Sequence, residues 1–450
     1  MTCVAGEIMK YTREDIIQMV EDEDVEFIRL QFIDLFGTIK NVAITVSQLE
    51  KALDNKCKFD VSSIEGFVKI VGSDMYLHPI LDTFTIFPWR PQQGKVARLI
   101  CDIYNEDGTP FEGSSRYALE RAIDKAAQKG YTFEACPECE FFLFNTDDEG
   151  NPTTSSPERA GYFDVGPVDL GENARRDMVL GLEDMGFEIE SSHHEVSPAQ
   201  HEIDFTSDGA METADNIVTF KFAVKSIAKR HGLHASFMPK PKRGVDGSGM
   251  HVKFKLLKDG KNVLEDKSDK YGLSKEGYSF IAGILNHIKG ICAISNPLVN
   301  SYKRLIPGYE APVLLGWSVD NKIPIIKVVS GRDEDLEIEL RNPDPAANPY
   351  LLFAACLCSG LEGIEKGLEA PEPITQDLYE KSLNELEEQG IDHLPTNLMH
   401  AIKALKSDDL MKEVLGKYIY KNYIRSKEEE WRQFSAVVTN WEIEHYLYKI

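Results

Sequence analysis

The sequence predicts an α+β fold in two units. Three observations carry this. An alternating apolar and polar stretch over 26–46 turns at Phe36-Gly37, as a hairpin does. Turn formers cluster over 105–113 in Asn105, Asp107, Gly108, Pro110 and Gly113, marking a boundary. Beyond it, helical and strand-like runs alternate without the regular βαβ repeat of a doubly wound fold, which points to an antiparallel or mixed sheet backed by helices.

The elements follow in order. Residues 12–23 have the apolar spacing of a short amphipathic helix that Thr12 can cap. A helix from Ser47 and strands near 84–87 and 96–104 complete the N-terminal unit. Past the boundary, helical spacing recurs over 117–129, 174–185, 210–230, 275–294 and 349–366. Strand-like runs fall at 132–144, 188–196, 200–205, 250–257, 324–329 and 336–340, and from Asp392 onward the chain is mainly helical.

Composition excludes several classes of function. Of 450 residues 42% are apolar, enough for a sizeable core, and 50 Lys+Arg against 74 Asp+Glu leave a net charge of −24. That is the wrong sign for neutralising phosphates, so no nucleic-acid partner is expected. The longest markedly apolar run, 350–361, is short of the roughly 20 residues a membrane span needs, so no membrane partner is expected either. Acidic Glu7 and Glu14 without an apolar core behind a basic start argue against a secretory leader, and the expected location is the cytoplasm. Eight scattered cysteines do not form a disulfide framework, and Cys136-x-x-Cys139 has no second pair to complete a zinc site.

The informative feature is acidic residues inside apolar strands, where a lone carboxylate is costly to desolvate. Glu138 and Glu140 lie two apart, so strand alternation puts them on one face, and Glu337 and Glu339 repeat the spacing. Glu195 and Glu202 flank a Pro-containing turn with His193, His194 and His201 beside them, and His251 ends a Gly-Ser-Gly-Met-His loop at 247–251. Any one Glu-x-Glu pair is more often a solvated strand face. Three acidic strands converging with one imidazole instead suit a hard divalent cation, Mg²⁺ or Mn²⁺. Residues 300–312, with Arg304 and Glu310 among Pro and Gly, have the makings of an active-site flap, although an ordinary surface loop reads the same way. The Pro-rich turn 341–349 would hold Arg341 beside the acidic strand, suited to gripping carboxylate or phosphate.

Together these residues resemble a known family. Asp60-Val-Ser-Ser-Ile, Glu138-Cys-Glu, His193-His-Glu-Val, Gln200-His-Glu-Ile-Asp, the 247–251 loop, the 300–312 stretch and Asp344-Pro-Ala-Ala-Asn-Pro stand in the order of a type I glutamine synthetase of the shorter, non-adenylylated kind. The resemblance implies a β-grasp-like N-terminal domain over 1–112 and a catalytic domain over 113–450 with a curved antiparallel sheet. It implies ATP-dependent ligation of ammonium to glutamate. One divalent ion would be held by Glu140, Glu195 and Glu202, and a second by Glu138, Glu339 and His251. Glutamate would be gripped by Arg304, Arg341 and the Gly247 backbone, while Asp60 of a neighbouring subunit, with Ser63 nearby, would take the proton from ammonium. Glu310 would close the flap, and Glu190, Lys253, Lys322 and Lys327 would face ATP. A homo-oligomer of two stacked hexameric rings is implied. Effectors such as 2-oxoglutarate and nitrogen-signalling regulatory proteins are left open.

Several positions depart from the family pattern. Val61 and Asp246 replace a usual Gly and Asn, Lys69 stands where an Arg linked to glutamine feedback is common, and Lys253, Lys322 and Lys327 replace other nucleotide contacts. Glu337 reverses the charge of an Arg near ATP, so unless a base such as Arg332 neutralises it, it favours a weakly active or non-catalytic paralogue. A γ-glutamyl ligase using another amine is the third reading.

Overall fold

The computed structural model describes residues 11–64, 66, 74–90, 93–306, 311–330, 335–376, 378, 383–388 and 390–450. Glu310, Lys69 and Arg332 lie outside them. The first sheet comprises β1 (Val25–Ile33), β2 (Ile39–Thr45), β3 (Cys57–Asp60), β4 (Asp74–Pro79), β5 (Thr85–Ile86) and β6 (Lys95–Tyr104). The second comprises β7 (Thr132–Asn145), β8 (Ile189–His194), β9 (Gln200–Phe205), β10 (Asp208–Gly209), β11 (Leu233–Ser236), β12 (Met250–Lys258), β13 (Lys261–Asn262), β14 (Leu314–Ser318), β15 (Pro324–Val329) and β16 (Glu337–Leu340). The helices are α1 (Arg13–Asp22), α2 (Leu49–Leu53), α3 (Ser115–Ala127), α4 (Glu172–Glu183), α5 (Ala210–Arg230) and α6 (Lys275–Ser295). They continue with α7 (Ser301–Arg304), α8 (Pro349–Lys366), α9 (Leu383–Glu388), α10 (Leu398–Ser407), α11 (Asp409–Ser435) and α12 (Asn440–Tyr446).

In the first sheet the order is β2-β1-β6-β4-β3, with β1 and β6 parallel and β5 added to β6. Helix α1 starts at a reciprocal cap between Thr12 and Asp15, and buries Ile16 and Val20 in this unit's own core. The second sheet runs β14-β15-β16-β12-β7-β9-β8, antiparallel throughout this path except where β14 meets β15. Its interior strands alternate. On β12, Met250, Val252, Phe254 and Leu256 are buried while His251, Lys253 and Lys255 point to the other face.

The apolar run at 350–361 is helix α8, capped by Asn348 with Pro349 in its first turn and stopped by left-handed Gly367. It packs against α6 so closely that a Cβ on Gly283 would lie 2.1 Å from Ser359 O, and one on Gly363 2.0 Å from Ser279 O. Only hydrogen fits there. This pair, with α3 and α5, backs the second sheet with one continuous apolar core, leaving the opposite face of β7, β12 and β16 for polar groups.

Candidate active site

Strand pairing assembles the site. Glu140 of β7 lies opposite Glu202 of β9, which lies opposite His193 of β8. Glu138 lies opposite His251 of β12, and Lys253 opposite Glu339 of β16, which in turn faces Lys327 of β15. Period-2 alternation therefore places a row of carboxylates and two bases on one face.

Two clusters result. In the first, Glu138, His251 and Glu339 bring ligand atoms within 4.8 Å of one another. His251 Nδ1 is 3.3 Å from Glu138 Oε2 and 3.6 Å from Glu339 Oε1. Burial and the Arg341 guanidinium hold His251 below its ordinary pKa, so the ring is neutral and has a lone pair to offer. Lys253 Nζ holds the other oxygen of Glu138 at 2.7 Å, and Arg341 Nη1 rests on Glu339. Against the burial that raises it, the hydrogen bond from His251 and the hydrogen bond and charge of Lys253 hold Glu138 well below the carboxylate range.

The second cluster is His193, Glu195 and Glu202, again within 4.8 Å, with His193 Nε2 2.9 Å from Glu195 Oε1. Expectation put Glu140 in this set. Glu140 is beside it, opposite Glu202 across the β7–β9 pair, and its Oε2 accepts from Gln200 Nε2 at 2.6 Å and from the Gly249 N–H at 3.1 Å. Burial and then the charge of Glu195 push Glu140 up to about 8, and burial with Glu140 raises Glu202 well above its usual range. His193 Nε2 lies 3.7 Å from Glu202 Oε2, and among the described residues no Lys or Arg is paired with either carboxylate. This is the donor set that a divalent cation satisfies, so the residues fit such an ion.

Arg304 joins the two clusters. It is 2% exposed, and donates through Nη1 to Asn342 O at 2.8 Å and Pro343 O at 3.2 Å, so the Pro-rich turn locks it in place. Gly249 packs closely against it. A Cβ there would lie 2.6 Å from Arg304 Nη2, and 3.1 Å from both Glu140 Oε1 and His251 Nε2. Gly247 is constrained differently, since its Cβ would collide with Pro239 O at 2.2 Å.

The nucleotide-facing candidates are spread across the sheet, from β8 at one end to β14 and β15 at the other. Glu190 is exposed at the start of β8 and feels the charges of Lys253, Asp204, Glu337 and Glu138, Lys327 sits on β15, and Lys322 is exposed in the β14–β15 connection. The neutralising base for Glu337 is Lys255, 3.2 Å away across the β12–β16 pair. Asp60 and Ser63 are not brought to the clusters within one chain. Asp60 is exposed at the end of β3, where its carboxylate accepts from Ser62 N–H at 2.7 Å and Ser62 Oγ at 2.9 Å. Cys136 and Cys139, three apart on β7, take opposite faces, Cys136 Sγ donating to Phe205 O and Cys139 lying in the core.

A family model for the glutamine synthetase catalytic domain matches residues 112–446, and one for the glutamine synthetase beta-Grasp domain matches 24–106. The chain belongs to the glutamine synthetase family. A glutamine synthetase of Clostridium saccharobutylicum is 59% identical to it, across 98% of this chain and 99% of that one. One from Staphylococcus aureus strain Mu50 is 53% identical over 97% and 98%. Among solved structures, a GmaS/ADP complex superposes with a TM-score of 0.87 at 29% identity, over 96% of this chain and 99% of that one. The Plasmodium falciparum glutamine synthetase, at 22% identity and TM-score 0.87 over 98% and 99%, shares the fold. As a type I glutamine synthetase this chain keeps the curled catalytic sheet and the β-grasp unit of that fold.

Residue spacing alone did not signal Gln200 as the group orienting Glu140, the close approach at Gly249, or Lys255 as the partner of Glu337. The even-numbered alternation of Gln200 with Glu202, and of Lys255 with His251, is the signal that could have found two of them.

Proposed function

We propose that this chain joins ammonium to the γ-carboxylate of glutamate at the expense of ATP, through γ-glutamyl phosphate. The observation that carries this is the pair of carboxylate-rich clusters side by side on one sheet face, with Arg304 and Arg341 at their edge. A carboxylate is a poor electrophile, and phosphorylation makes it one. Two divalent cations, Mg²⁺ or Mn²⁺, would be held by Glu138, His251 and Glu339 and by Glu195, Glu202 and Glu140, and would neutralise the transferring phosphoryl group.

The chain's own groups do the rest. Arg304, fixed by the 341–343 carbonyls and packed against Gly247, orients glutamate beside the Gly247 backbone, and Arg341 lies ready to meet developing charge. Glu190, Lys253, Lys322 and Lys327 line the nucleotide side. Asp60, oriented by Ser62 and presented by the N-terminal unit to a neighbouring subunit, removes the proton that leaves ammonia free to attack. Glu310, in the 300–312 stretch, closes over the acyl phosphate and keeps water out. The departure at 337 favoured a non-catalytic paralogue only while its charge stood alone, and Lys255 answers it.

The working form is a homo-oligomer, two rings of six, in the cytoplasm. Large exposed apolar side chains support assembly: Leu447 at 65%, Tyr448 at 92% and Ile450 at 99% in the tail, and Phe163 at 61% and Val165 at 69% in the 162–170 loop. Among the described residues no helix is long and apolar enough to cross a membrane. The test is glutamine formation by purified protein, with hydroxylamine and methylamine as competing amines. Dependence on ATP, ammonium and a divalent cation is expected. Preference for an alkylamine over ammonium, or no ADP released, would overturn the proposal.

A further inference from the structure

Behind the carboxylate face lies a buried polar cluster with no role in the chemistry above: Glu158, Asp169, Arg175, His194 and His201. His194 lies opposite His201 across the β8–β9 pair, one residue on from the His193–Glu202 pair, so this cluster occupies the reverse side of the same two strands. Glu158 is its hub. Its Oε1 accepts from His194 Nε2 at 2.8 Å and from the Ala199 N–H, and its Oε2 accepts from the Leu170 N–H at 2.7 Å and the Gly171 N–H at 3.3 Å. His194 in turn donates through Nδ1 to Glu195 O at 2.7 Å. Asp169 holds Arg175 at 2.7 Å, and Arg175 donates to His201 Nδ1 at 2.8 Å.

The four acidic and imidazole groups lie close enough together to suggest a third metal centre, but the bonding excludes one. Both oxygens of Glu158 are filled by donors, and the Arg175 guanidinium, a fixed positive charge, is bonded to both Asp169 and His201 Nδ1. What Glu158 does is join three segments: the turn at 195–199 through Ala199, the backbone of Glu195 through His194, and the loop at 170–171. Glu195 leaves the strand immediately beyond the anchored imidazole.

We infer that Glu158 is a positioning residue for the cation site at Glu195 and Glu202, fixing through His194 and Ala199 the direction in which the Glu195 carboxylate points. This rests on the two-cation reading proposed above. Four donors converge on two carboxylate oxygens, so an amide in that place offers one acceptor and turns its own N–H groups towards two donors. The turn must then shift, and Glu195 with it. Outer groups of this kind typically change metal affinity 10- to 100-fold.

The experiment is Mn²⁺ binding to the full oligomer without nucleotide, followed by electron paramagnetic resonance, in wild type, Glu158→Gln and Glu158→Asp. Glu195→Gln marks which class of bound Mn²⁺ belongs to the site. Glu158→Gln should weaken that class about tenfold or more while leaving the Glu138–His251–Glu339 class unchanged, and Glu158→Asp, which keeps both acceptor oxygens, should recover part of the loss. If Glu158→Gln does not assemble, Glu158→Asp serves alone, with a smaller loss confined to the same class. Unchanged affinity, or equal losses at both classes in proportion to a lowered melting temperature, would reduce Glu158 to a general structural role. Wild type that binds no Mn²⁺ would instead bring down the two-cation reading and this inference with it.

Discussion

Lys255 and Glu337 should have opposite effects on ATP use although they are two halves of one ion pair. Their charged atoms are 3.2 Å apart, and the side chains are 20% and 17% exposed. At that separation the attraction is about 5 kcal/mol at an effective dielectric of about 20 and about 1 kcal/mol in bulk water. Desolvation takes back much of it, leaving a net contribution to stability of about 1 kcal/mol. Truncating either partner should therefore lower the melting temperature by a similar, small amount. The effect on a polyanion is different in sign. The intact pair is neutral, whereas Glu337→Gln leaves a bare cation and Lys255→Gln a bare anion. One uncompensated unit charge near a phosphate shifts binding by about 1 kcal/mol even at the dielectric of bulk water, roughly fivefold. Glu337→Gln should thus lower the KM for Mg·ATP about fivefold and Lys255→Gln raise it about as much, with kcat little changed in either, as loss or gain of uniform binding requires. Initial rates of glutamine formation against Mg·ATP, at saturating glutamate and ammonium, read this directly. Shifts in the same direction, or none, would show that the phosphates do not pass this pair and would refute this placement of the nucleotide.

Further outcomes follow from other groups. His287 sits between Asp408 and Glu362, each 2.8 Å from a ring nitrogen, and although burial lowers its pKa their hydrogen bonds and charges raise it overall. A raised folded pKa gives stability that is full below the unfolded value of about 6.5 and lost as pH rises through the folded one, so the melting temperature should fall more steeply as pH rises above about 6.5 in wild type than in His287→Gln. Parallel slopes would contradict this. Glu140, pushed up to about 8, carries a proton at neutral pH without metal, so Mn²⁺ must displace it. Affinity should rise with pH by up to about tenfold per unit between about pH 6 and 8, and calorimetry in buffers of different ionisation enthalpy should detect the proton. Finally, mixed oligomers of inactive Asp60→Ala and inactive Glu140→Ala subunits should regain activity, because some interfaces then pair an intact Asp60 with an intact Glu140. No recovery after verified mixing would place Asp60 within its own chain's site.

The catalytic sheet was legible because its strands are half-buried and obey a period of two, so 200–205 and 324–329 emerge from the sequence with the bounds that β9 and β15 have in the fold. Helix α8 was equally plain, a capped apolar run between Asn348 and Gly367. Strands β3 and β4 were not read. Cys57–Asp60 is four residues with Lys and Asp among them, and its pairing with β4 follows from the tertiary fold, not from local pattern. In the site, the carboxylates were legible as charges placed where apolar neighbours demand a compensating partner. What could not be read was anything fixed by register between distant strands, such as His193 beside Glu202, or by a loop closing over a strand from behind, as Glu158 does from 36 residues before His194.

The same limit explains why one substitution pointed the wrong way. Read alone, Glu337 puts a negative charge where a phosphate is expected, and the consequence is repulsion of at least about 1 kcal/mol per close charge in a poorly screened site. Antiparallel pairing makes that position one half of a unit. Val252 faces Leu340 and Phe254 faces Ile338, so Lys255 is carried opposite Glu337 whatever its own local preference. The relevant variable is the summed charge of the pair, which is zero, and not the sign at either residue. The double variant Lys255→Glu, Glu337→Arg keeps that sum while exchanging the two charges across the strands. It should restore the melting temperature lost by either single charge reversal, and it should change the KM for ATP only as far as the phosphates lie nearer one strand than the other. A restored melting temperature with a KM still shifted more than tenfold would mean that the nucleotide meets one of these side chains directly.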